Sequence, residues 1–284
     1  MRPADISPLS QLMQRMDATA DGAPPQDSVT SGFPSLDELL GGGFRRGDLV
    51  VLGGDVGVGK SALALAIALR ARQGGRTSAF YTSEMSPSRV LERVLAMEGR
   101  ARIDDIRNGS LDEPGRAGIG AAAVRLRQQL PVIEALPAGG GGGAAARMLQ
   151  SALDVELAVV DSLQALASGS RDQEEELADA IRQLKSTAVE SSVAVLLTAH
   201  LPRLGPERRG ARPTLDDFGA LGAVKQHADV VLALYREELY ETSADAQGAT
   251  ELAILKNRNG PTSYIDLYFY KHWLRFEDMV EPDR

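Results

Sequence analysis

The chain has 284 residues, of which 43% are hydrophobic, so it is long enough for one large domain or two small ones with a sizeable core. Because it has no cysteine, disulfides and cysteine-ligated zinc are excluded; no apolar run approaches the roughly 20 residues of a membrane span and no signal-peptide pattern opens the chain, so we expect a cytoplasmic protein with no membrane partner. The formal net charge of −8 argues against general affinity for nucleic acid, which usually needs a basic surface, but it allows a local basic patch.

The first 30 residues are expected to be an appendage to the main domain. Residues 7–16 can form a short amphipathic helix with four apolar side chains on one side, namely Leu9, Leu12, Met13 and Met16. A disordered terminus is the equal alternative. If the helix forms, we expect it to dock on a neighbouring subunit. Farther along, Ser35 is expected to cap a second short helix.

Residues 54–61 (GDVGVGKS) fit the pattern G-x-x-x-x-G-K-[ST] of a nucleotide-binding P-loop. Glycines let the backbone curl so that successive N–H groups face phosphate oxygens, Lys60 can reach the β and γ phosphates, and the Ser61 hydroxyl can bind Mg²⁺. A buried strand is predicted before the loop and a buried helix after it, a context that makes a chance turn the weaker interpretation. The predicted nucleotide contacts are Gly54, Val56, Gly57, Val58, Gly59, Lys60, Ser61 and Ala62.

The next predicted strand, residues 77–82, brings Glu84 to its carboxyl end, where open α/β sheets place their active sites. A carboxylate that only stabilises the start of the following helix is the alternative for Glu84. Residues 100–131 are predicted to be helical. The run AGGGGGAAA at residues 138–146 is predicted to be a flexible loop and not a phosphate site.

Residues 157–161 predict a hydrophobic strand that ends in Asp161, the Walker B pattern, in which the aspartate holds Mg²⁺ through water opposite Ser61. The pattern is weak alone and stronger with a P-loop upstream. After a predicted helix at residues 172–190, the strand at 193–198 brings His200 to its end. We expect His200 to be either a sensor of the γ-phosphate or a satisfied polar residue at the sheet edge.

Residues 201–217 predict a long Pro- and Arg-rich loop. Its positive charge comes from Arg203, Arg208, Arg209 and Arg212, and it is either a solvated surface loop or a contact for single-stranded DNA. Further strands are predicted at residues 229–235, 251–256 and 264–269, with a short final strand at 273–276.

Strands that alternate with helices around a P-loop predict an α/β fold with a central, mostly parallel sheet flanked by helices. From about residue 31 to 276 the chain also resembles the C-terminal ATPase domain of DnaB-type replicative helicases, which has a RecA-like fold. The matching segments are the P-loop, SEMS at 83–86, VDSLQ at 160–164, GAVKQHADVV at 222–231 and KNRNGPT at 256–262.

The resemblance implies one RecA-like domain over residues 31–284 that binds ATP and Mg²⁺ at the interfaces of a homo-oligomeric ring, hexameric in that family, and that works as a 5′–3′ helicase on single-stranded DNA with a helicase loader as a further partner. It implies that Glu84 is the catalytic glutamate and that Lys256 and Arg258 act in trans on ATP held by the adjacent subunit. It also puts Gly222 next to the DNA-binding loop.

Three departures from the family pattern bear on these expectations. Residues 1–30 are too short to be the family's helical N-terminal domain, so only a linker helix is expected there. His200 stands where the family commonly has Gln, and Gly219-Ala220 stand where it has an Arg-Glu pair. A side-chain contact to DNA is therefore missing, although backbone N–H groups remain.

The alternative is a RadA- or KaiC-like ATPase of the RecA superfamily, active in recombination or regulation without replicative unwinding. Residues 31–54 suit both groups. The SEMS and KNRNGPT segments favour the DnaB type, and the cysteine cluster that RadA usually has is missing. A ring scaffold without activity is disfavoured by the presence of Lys60, Ser61, Glu84, Asp161 and Arg258.

Overall fold

The computed structural model describes residues 7–20, 27–152, 154–169, 172–202, 212–240 and 247–279. Its strands are β1 (Ser28–Val29), β2 (Phe44–Arg45), β3 (Leu49–Gly54), β4 (Ser78–Thr82), β5 (Val132–Ala135), β6 (Leu157–Asp161), β7 (Ala194–His200), β8 (Val230–Tyr235), β9 (Ala249–Asn257), β10 (Ser263–Tyr270) and β11 (Arg275–Asp278). Its helices are α1 (Pro8–Ala20), α2 (Pro34–Leu39), α3 (Lys60–Gln73), α4 (Pro87–Gly99), α5 (Ile103–Asn108), α6 (Glu113–Gln129), α7 (Gly141–Ser151), α8 (Gln173–Ser191) and α9 (Ala223–His227).

Nine of the described strands form one sheet in the order β11-β10-β9-β8-β3-β7-β6-β4-β5. The six strands from β8 to β5 are parallel, and β9, β10 and β11 continue the sheet as antiparallel neighbours. The central strands β3 and β6 are buried along their whole length, as expected for parallel strands covered on both faces. This arrangement confirms the predicted α/β fold with a central, mostly parallel sheet.

The two faces of the sheet carry separate hydrophobic clusters. One contains α3, whose sequence is apolar nearly all round because the helix lies between the sheet and its neighbours. The other contains the buried side of α8 and the inner face of α7. Among the described helices, none combines the length and the hydrophobicity that crossing a bilayer requires.

The prediction of a flexible loop at residues 138–146 is wrong for most of this run, because α7 begins inside it at Gly141. A Cβ atom added to Gly142 would lie 2.5 Å from the Cα atom of Ala180 on α8. Glycine is therefore needed there for close helix packing, a tertiary requirement that composition alone does not reveal. The predicted Ser35 cap is also wrong. Helix α2 begins at Pro34, and the Ser35 N–H donates to Asp278 Oδ2 at 2.8 Å.

Helix α1 forms where the amphipathic pattern predicted it. Its apolar side chains are exposed, namely Leu9, Leu12, Met13 and Met16. Docking of this helix on a neighbouring subunit, and the division of the chain at residue 30, stay predictions.

Candidate functional site

The P-loop connects the end of β3 to the start of α3, at the carboxyl edge of the parallel sheet. Gly57 and Gly59 have φ angles of +81° and +111°, which side chains with a Cβ rarely adopt. A Cβ atom at Gly59 would also lie 2.9 Å from the Phe276 ring. Helix α3 begins at Lys60, so its first N–H groups point out of the helix at the loop and form a site for an anion.

Lys60 forms the floor of this site. Its Nζ atom donates to the carbonyl oxygens of Gly54 and Asp55, both at 2.9 Å. Burial lowers the pKa of Lys60, and the nearby carboxylates of Asp161 and Glu84 oppose that effect. The ammonium group is thus held at the loop, and Val56 is exposed at the loop's tip.

Ser61, in the first turn of α3, meets Asp161 at the end of β6, as the Walker B pattern predicted. The Ser61 hydroxyl donates to Asp161 Oδ1 at 3.0 Å, and the Thr198 hydroxyl donates to the same oxygen at 2.6 Å. Asp161 is buried, and this burial raises the pKa of its carboxyl group. Its Oδ2 atom is buried without a hydrogen-bond partner among the described residues. Mg²⁺ prefers oxygen ligands and keeps several waters. The Ser61 hydroxyl could bind this ion directly, and Asp161 Oδ2 could accept a hydrogen bond from one of its waters, so the pair fits Mg²⁺.

Glu84 lies in the same cleft, just past β4. His200 Nε2 is 2.6 Å from Glu84 Oε1, and the Ser162 hydroxyl donates to that oxygen as well. The His200 hydrogen bond is the largest cause that lowers the pKa of Glu84 to about 2, with Ser162 and Lys60 adding to it against partial desolvation. Glu84 is therefore an ionised carboxylate at neutral pH.

The Gln164 side chain fixes the backbone of His200. Gln164 Nε2 donates to His200 O at 3.1 Å, and the His200 N–H donates to Gln164 Oε1 at 2.8 Å. The imidazole is held at Nε2 by Glu84. Its Nδ1 atom is buried without a partner within the described part of the chain.

Lys60, Ser61, Glu84 and His200 line one cleft of about 320 Å³. The same cleft is lined by three cationic residues that the sequence reasoning missed, namely Arg93, Arg236 and Lys271. Arg93 lies on α4, and the carboxylates of Asp161 and Glu84 favour its charged form against burial. The available signal was its position on the helix that follows Glu84.

Arg236 follows β8 directly and is buried. Its Nη1 atom lies 3.5 Å from the carbonyl oxygens of Gly57 and Val58. Its Nη2 atom pairs with Glu238, and the guanidinium stacks over the Phe269 ring, 4.7 Å from its centroid. Arg236 therefore supports the carbonyl side of the P-loop. The available signal was a charged residue directly after the buried strand VVLALY, residues 230–235.

Lys256 and Arg258 lie at the opposite edge of the sheet. Asn257 pairs with Val230, and Val230 pairs with Val50 near the start of β3, whereas Gly54 at the end of β3 pairs with Leu234. Four residues along a strand correspond to about 13 Å. Lys256 and Arg258 therefore lie away from the cleft of their own subunit. Action in trans requires such a location.

The candidate DNA contacts are only partly within the described residues. Arg203, Arg208 and Arg209 lie outside them. Arg212 Nε donates to both carboxylate oxygens of Glu251, at 3.1 and 2.8 Å, so part of its charge is neutralised inside the subunit. Gly222, with φ +77°, ends a turn just before α9. Their roles in DNA binding stay predictions.

Residues 28–278 match the family model described as the DnaB-like helicase C terminal domain. The chain belongs to this family. The replicative DNA helicase DnaB of Leifsonia xyli subsp. xyli (strain CTCB07) is 32% identical over 258 residues, which cover 89% of this chain and 56% of that protein. This DnaB-type chain thus spans a little over half the length of the replicative helicases that it matches.

Solved structures agree on the fold of this DnaB-type chain. A DnaB-like replicative helicase, solved in a study of its interactions with primase, has a TM-score of 0.84 at 23% identity, covering 96% of this chain and 66% of that one. The RadB recombinase has a TM-score of 0.56 at 19% identity, covering 89% of this chain and 100% of that one. The predicted DnaB-type resemblance and RecA-like fold are confirmed, and the recombinase is the more distant of the two structures.

Proposed function

We propose that this DnaB-type domain binds ATP with Mg²⁺ and hydrolyses it, with Glu84 as the general base. One observation carries the proposal: the ionised carboxylate of Glu84 shares a cleft with Lys60 and Ser61, and the Ser61 hydroxyl donates to Asp161. The N–H groups of the P-loop and the start of α3 would hold the phosphates, and Ser61 and Asp161 would hold the metal. Mg²⁺, when bound, neutralises charge on the β and γ phosphates.

The protein's own groups would divide the remaining work. Glu84 accepts a proton from the attacking water, and Lys60 offsets negative charge on the phosphates. A carboxylate with a pKa near 2 is a weak base, since a general base works best with a pKa near the working pH. If His200 turns from Glu84 to the γ-phosphate, the pKa of Glu84 rises toward its ordinary value. His200 would thereby act as both the phosphate sensor and the switch of the base.

Lys256 and Arg258 would complete the site of the adjacent subunit. Their position at the sheet edge opposite the P-loop supports this role, as does the 53% exposure of the Arg258 side chain. An arginine supplied in trans stabilises charge that develops on the transferred phosphoryl group, so hydrolysis would depend on assembly into a ring, hexameric as in the family.

Single-stranded DNA would pass through the centre of this ring, with the turn before Gly222 and the arginines of residues 203–212 as contacts and with 5′–3′ translocation. Membership of the family supports this proposal, and so do relatives whose names describe them as replicative DNA helicases. A helicase loader would be a further partner.

The experiment measures ATPase rate with and without single-stranded DNA, together with oligomer size by light scattering and unwinding of a fork with a 5′ tail. We expect DNA-stimulated hydrolysis by rings, and unwinding that is lost with Lys60→Ala. Hydrolysis by rings without unwinding would favour the recombination or regulatory alternative. The absence of hydrolysis in assembled rings would contradict the proposal.

A further inference from the structure

Asp229 is a buried carboxylate at the sheet edge opposite the P-loop, immediately before β8. Its side chain is 3% exposed. The Oδ2 atom accepts from the Leu49 N–H at 2.9 Å and from Lys185 Nζ at 2.6 Å. A buried charge is costly unless it is paired and hydrogen-bonded, and these two donors tie Asp229 to β3 and to α8.

The other carboxylate oxygen of Asp229 faces Arg258. Arg258 Nη1 lies 3.0 Å from Asp229 Oδ1, and the Arg258 N–H donates to the Asp229 carbonyl at 2.8 Å. The Arg258 main chain and guanidinium are therefore both held by one residue. Arg258 Nη2 also donates to the Gln226 carbonyl at 3.3 Å. A long, half-exposed arginine side chain would otherwise lose much of its rotamer freedom on docking.

The end of α9 holds Lys256 in the same way. Lys256 Nζ donates to the carbonyl oxygens of Lys225 at 2.7 Å and Ala228 at 2.5 Å. Asp229 and the carbonyl oxygen of Gln226 together bind the guanidinium of Arg258, and we call these two groups the Arg258 anchor. The anchor lies beside the carbonyl oxygens that bind Lys256, so the two residues expected to act in trans are held next to each other.

We propose that Asp229 is the positioning residue for Arg258: it holds the guanidinium, through the Arg258 anchor, in the orientation that reaches the nucleotide of the adjacent subunit. This inference rests on the proposed function, in which Arg258 acts in trans. Asp229 acts through Arg258 and touches no nucleotide itself.

The test uses the full chain carrying Asp229→Asn, which keeps the size of the side chain and removes the charge that holds the guanidinium. We expect kcat for ATP to fall by about 10²-fold, the loss typical of a misplaced catalytic group, with ATP affinity unchanged. Glu156→Gln is the matched control. Glu156 accepts from Arg76 Nη1 at 3.0 Å and from the Thr77 N–H at 3.1 Å. It lies at the same edge of the sheet, immediately before β6, so the kcat of Glu156→Gln should equal that of the wild type.

Mixed rings separate positioning from a general structural defect. A subunit whose defect is confined to Arg258 still has a working P-loop. Asp229→Asn subunits mixed with Lys60→Ala subunits should therefore regain activity, whereas Asp229→Asn mixed with Arg258→Ala should not. If Asp229→Asn does not fold, the double variant Asp229→Asn, Lys185→Gln enters the same mixtures, because it also removes the partly buried ammonium group that lost its ion pair with Asp229.

Three results would overturn the positioning role of Asp229. They are recovery of activity in the mixture with Arg258→Ala, a wild-type or faster rate for Asp229→Asn alone, and no recovery in either mixture. The mixture of Lys60→Ala with Arg258→Ala is the reference. If the reference recovers, a negative result concerns Asp229 alone; if the reference fails in rings shown to be mixed, the action in trans fails and the inference fails with it.

Discussion

The Nε2 atom of His200 lies 2.6 Å from the Oε1 atom of Glu84, although β7, which ends at His200, and β4, which precedes Glu84, are not neighbours in the sheet. Strand β6 lies between them, and Ser162 at its end donates to the same carboxylate oxygen. One oxygen of the expected base is thus held from two strand ends, with the P-loop lysine nearby. We expect the basicity of Glu84 to depend on this contact.

Lys60→Ala should abolish nucleotide-dependent hydrolysis, because it removes the ammonium group that lies against Gly54 and Asp55 at the floor of the cleft. Steady-state ATPase assays on the folded variant, with the fold checked by thermal unfolding, measure this. Near-normal turnover would refute the assignment of the loop.

Glu84→Gln should preserve ATP binding and slow hydrolysis by about 10²-fold or more, the contribution of a general base. Single-turnover kinetics together with binding of a fluorescent ATP analogue separate the two effects. If the variant turns over normally, the base lies elsewhere in the cleft.

The pKa of Glu84 should respond to His200. In the nucleotide-free wild type we expect the carboxyl group to titrate at about 2, and in His200→Ala, which has no side-chain donor, at a value nearer about 4.3, the ordinary value for glutamate. A carboxyl group whose pKa is lowered in the folded state stabilises the fold at pH values above its unfolded-state pKa, and this stabilisation is lost as the pH falls through the folded-state pKa. The unfolding free energy of the wild type should therefore fall more steeply below about pH 4.3 than that of His200→Ala.

Carbon NMR of the labelled Glu84 carboxyl group follows this titration directly. Equal midpoints in the two proteins would show that the His200 contact does not control the base.

Substitution of both Arg208 and Arg209 by Ala should lower the affinity for single-stranded DNA and flatten its dependence on salt, since each lost phosphate contact reduces the slope by about 0.7 for single strands. Arg212→Ala is the comparison. Its guanidinium is bound to Glu251 and stacks on Tyr235, so we expect a smaller effect. Titrations at several salt concentrations measure the slopes, and an unchanged slope in the double variant would remove this segment from the interface.

The sequence predicted those parts of the site that are contiguous or that end a buried strand. Residues 54–61 and Asp161 follow such patterns, and the structure brings Ser61 and Asp161 together as expected. Arg236 also follows a buried strand, but it was missed because its partners are the carbonyl oxygens of Gly57 and Val58, in the loop after the neighbouring strand. No local pattern shows which strands are neighbours. The Gly-rich start of α7 was missed for the same reason, since the need for Gly142 arises from Ala180 on another helix.

Arg258→Ala should leave ATP binding on the same subunit nearly intact and cut hydrolysis by about 10³-fold or more, the contribution of a trans-acting arginine. Since we propose that the wild-type site is complete only in a ring, specific activity should rise with protein concentration as rings form. If Arg258 were only a surface residue at the end of β9, the substitution would change neither property.

The mixing of Arg258→Ala subunits with Lys60→Ala subunits tests the central claim most directly. Each protein is expected to be inactive alone, but in a mixed ring some interfaces join an intact P-loop to an intact Arg258. The measurement is ATPase activity of rings shown by native mass spectrometry to contain both subunits. We predict partial recovery of activity, and no recovery in such rings would contradict hydrolysis in trans.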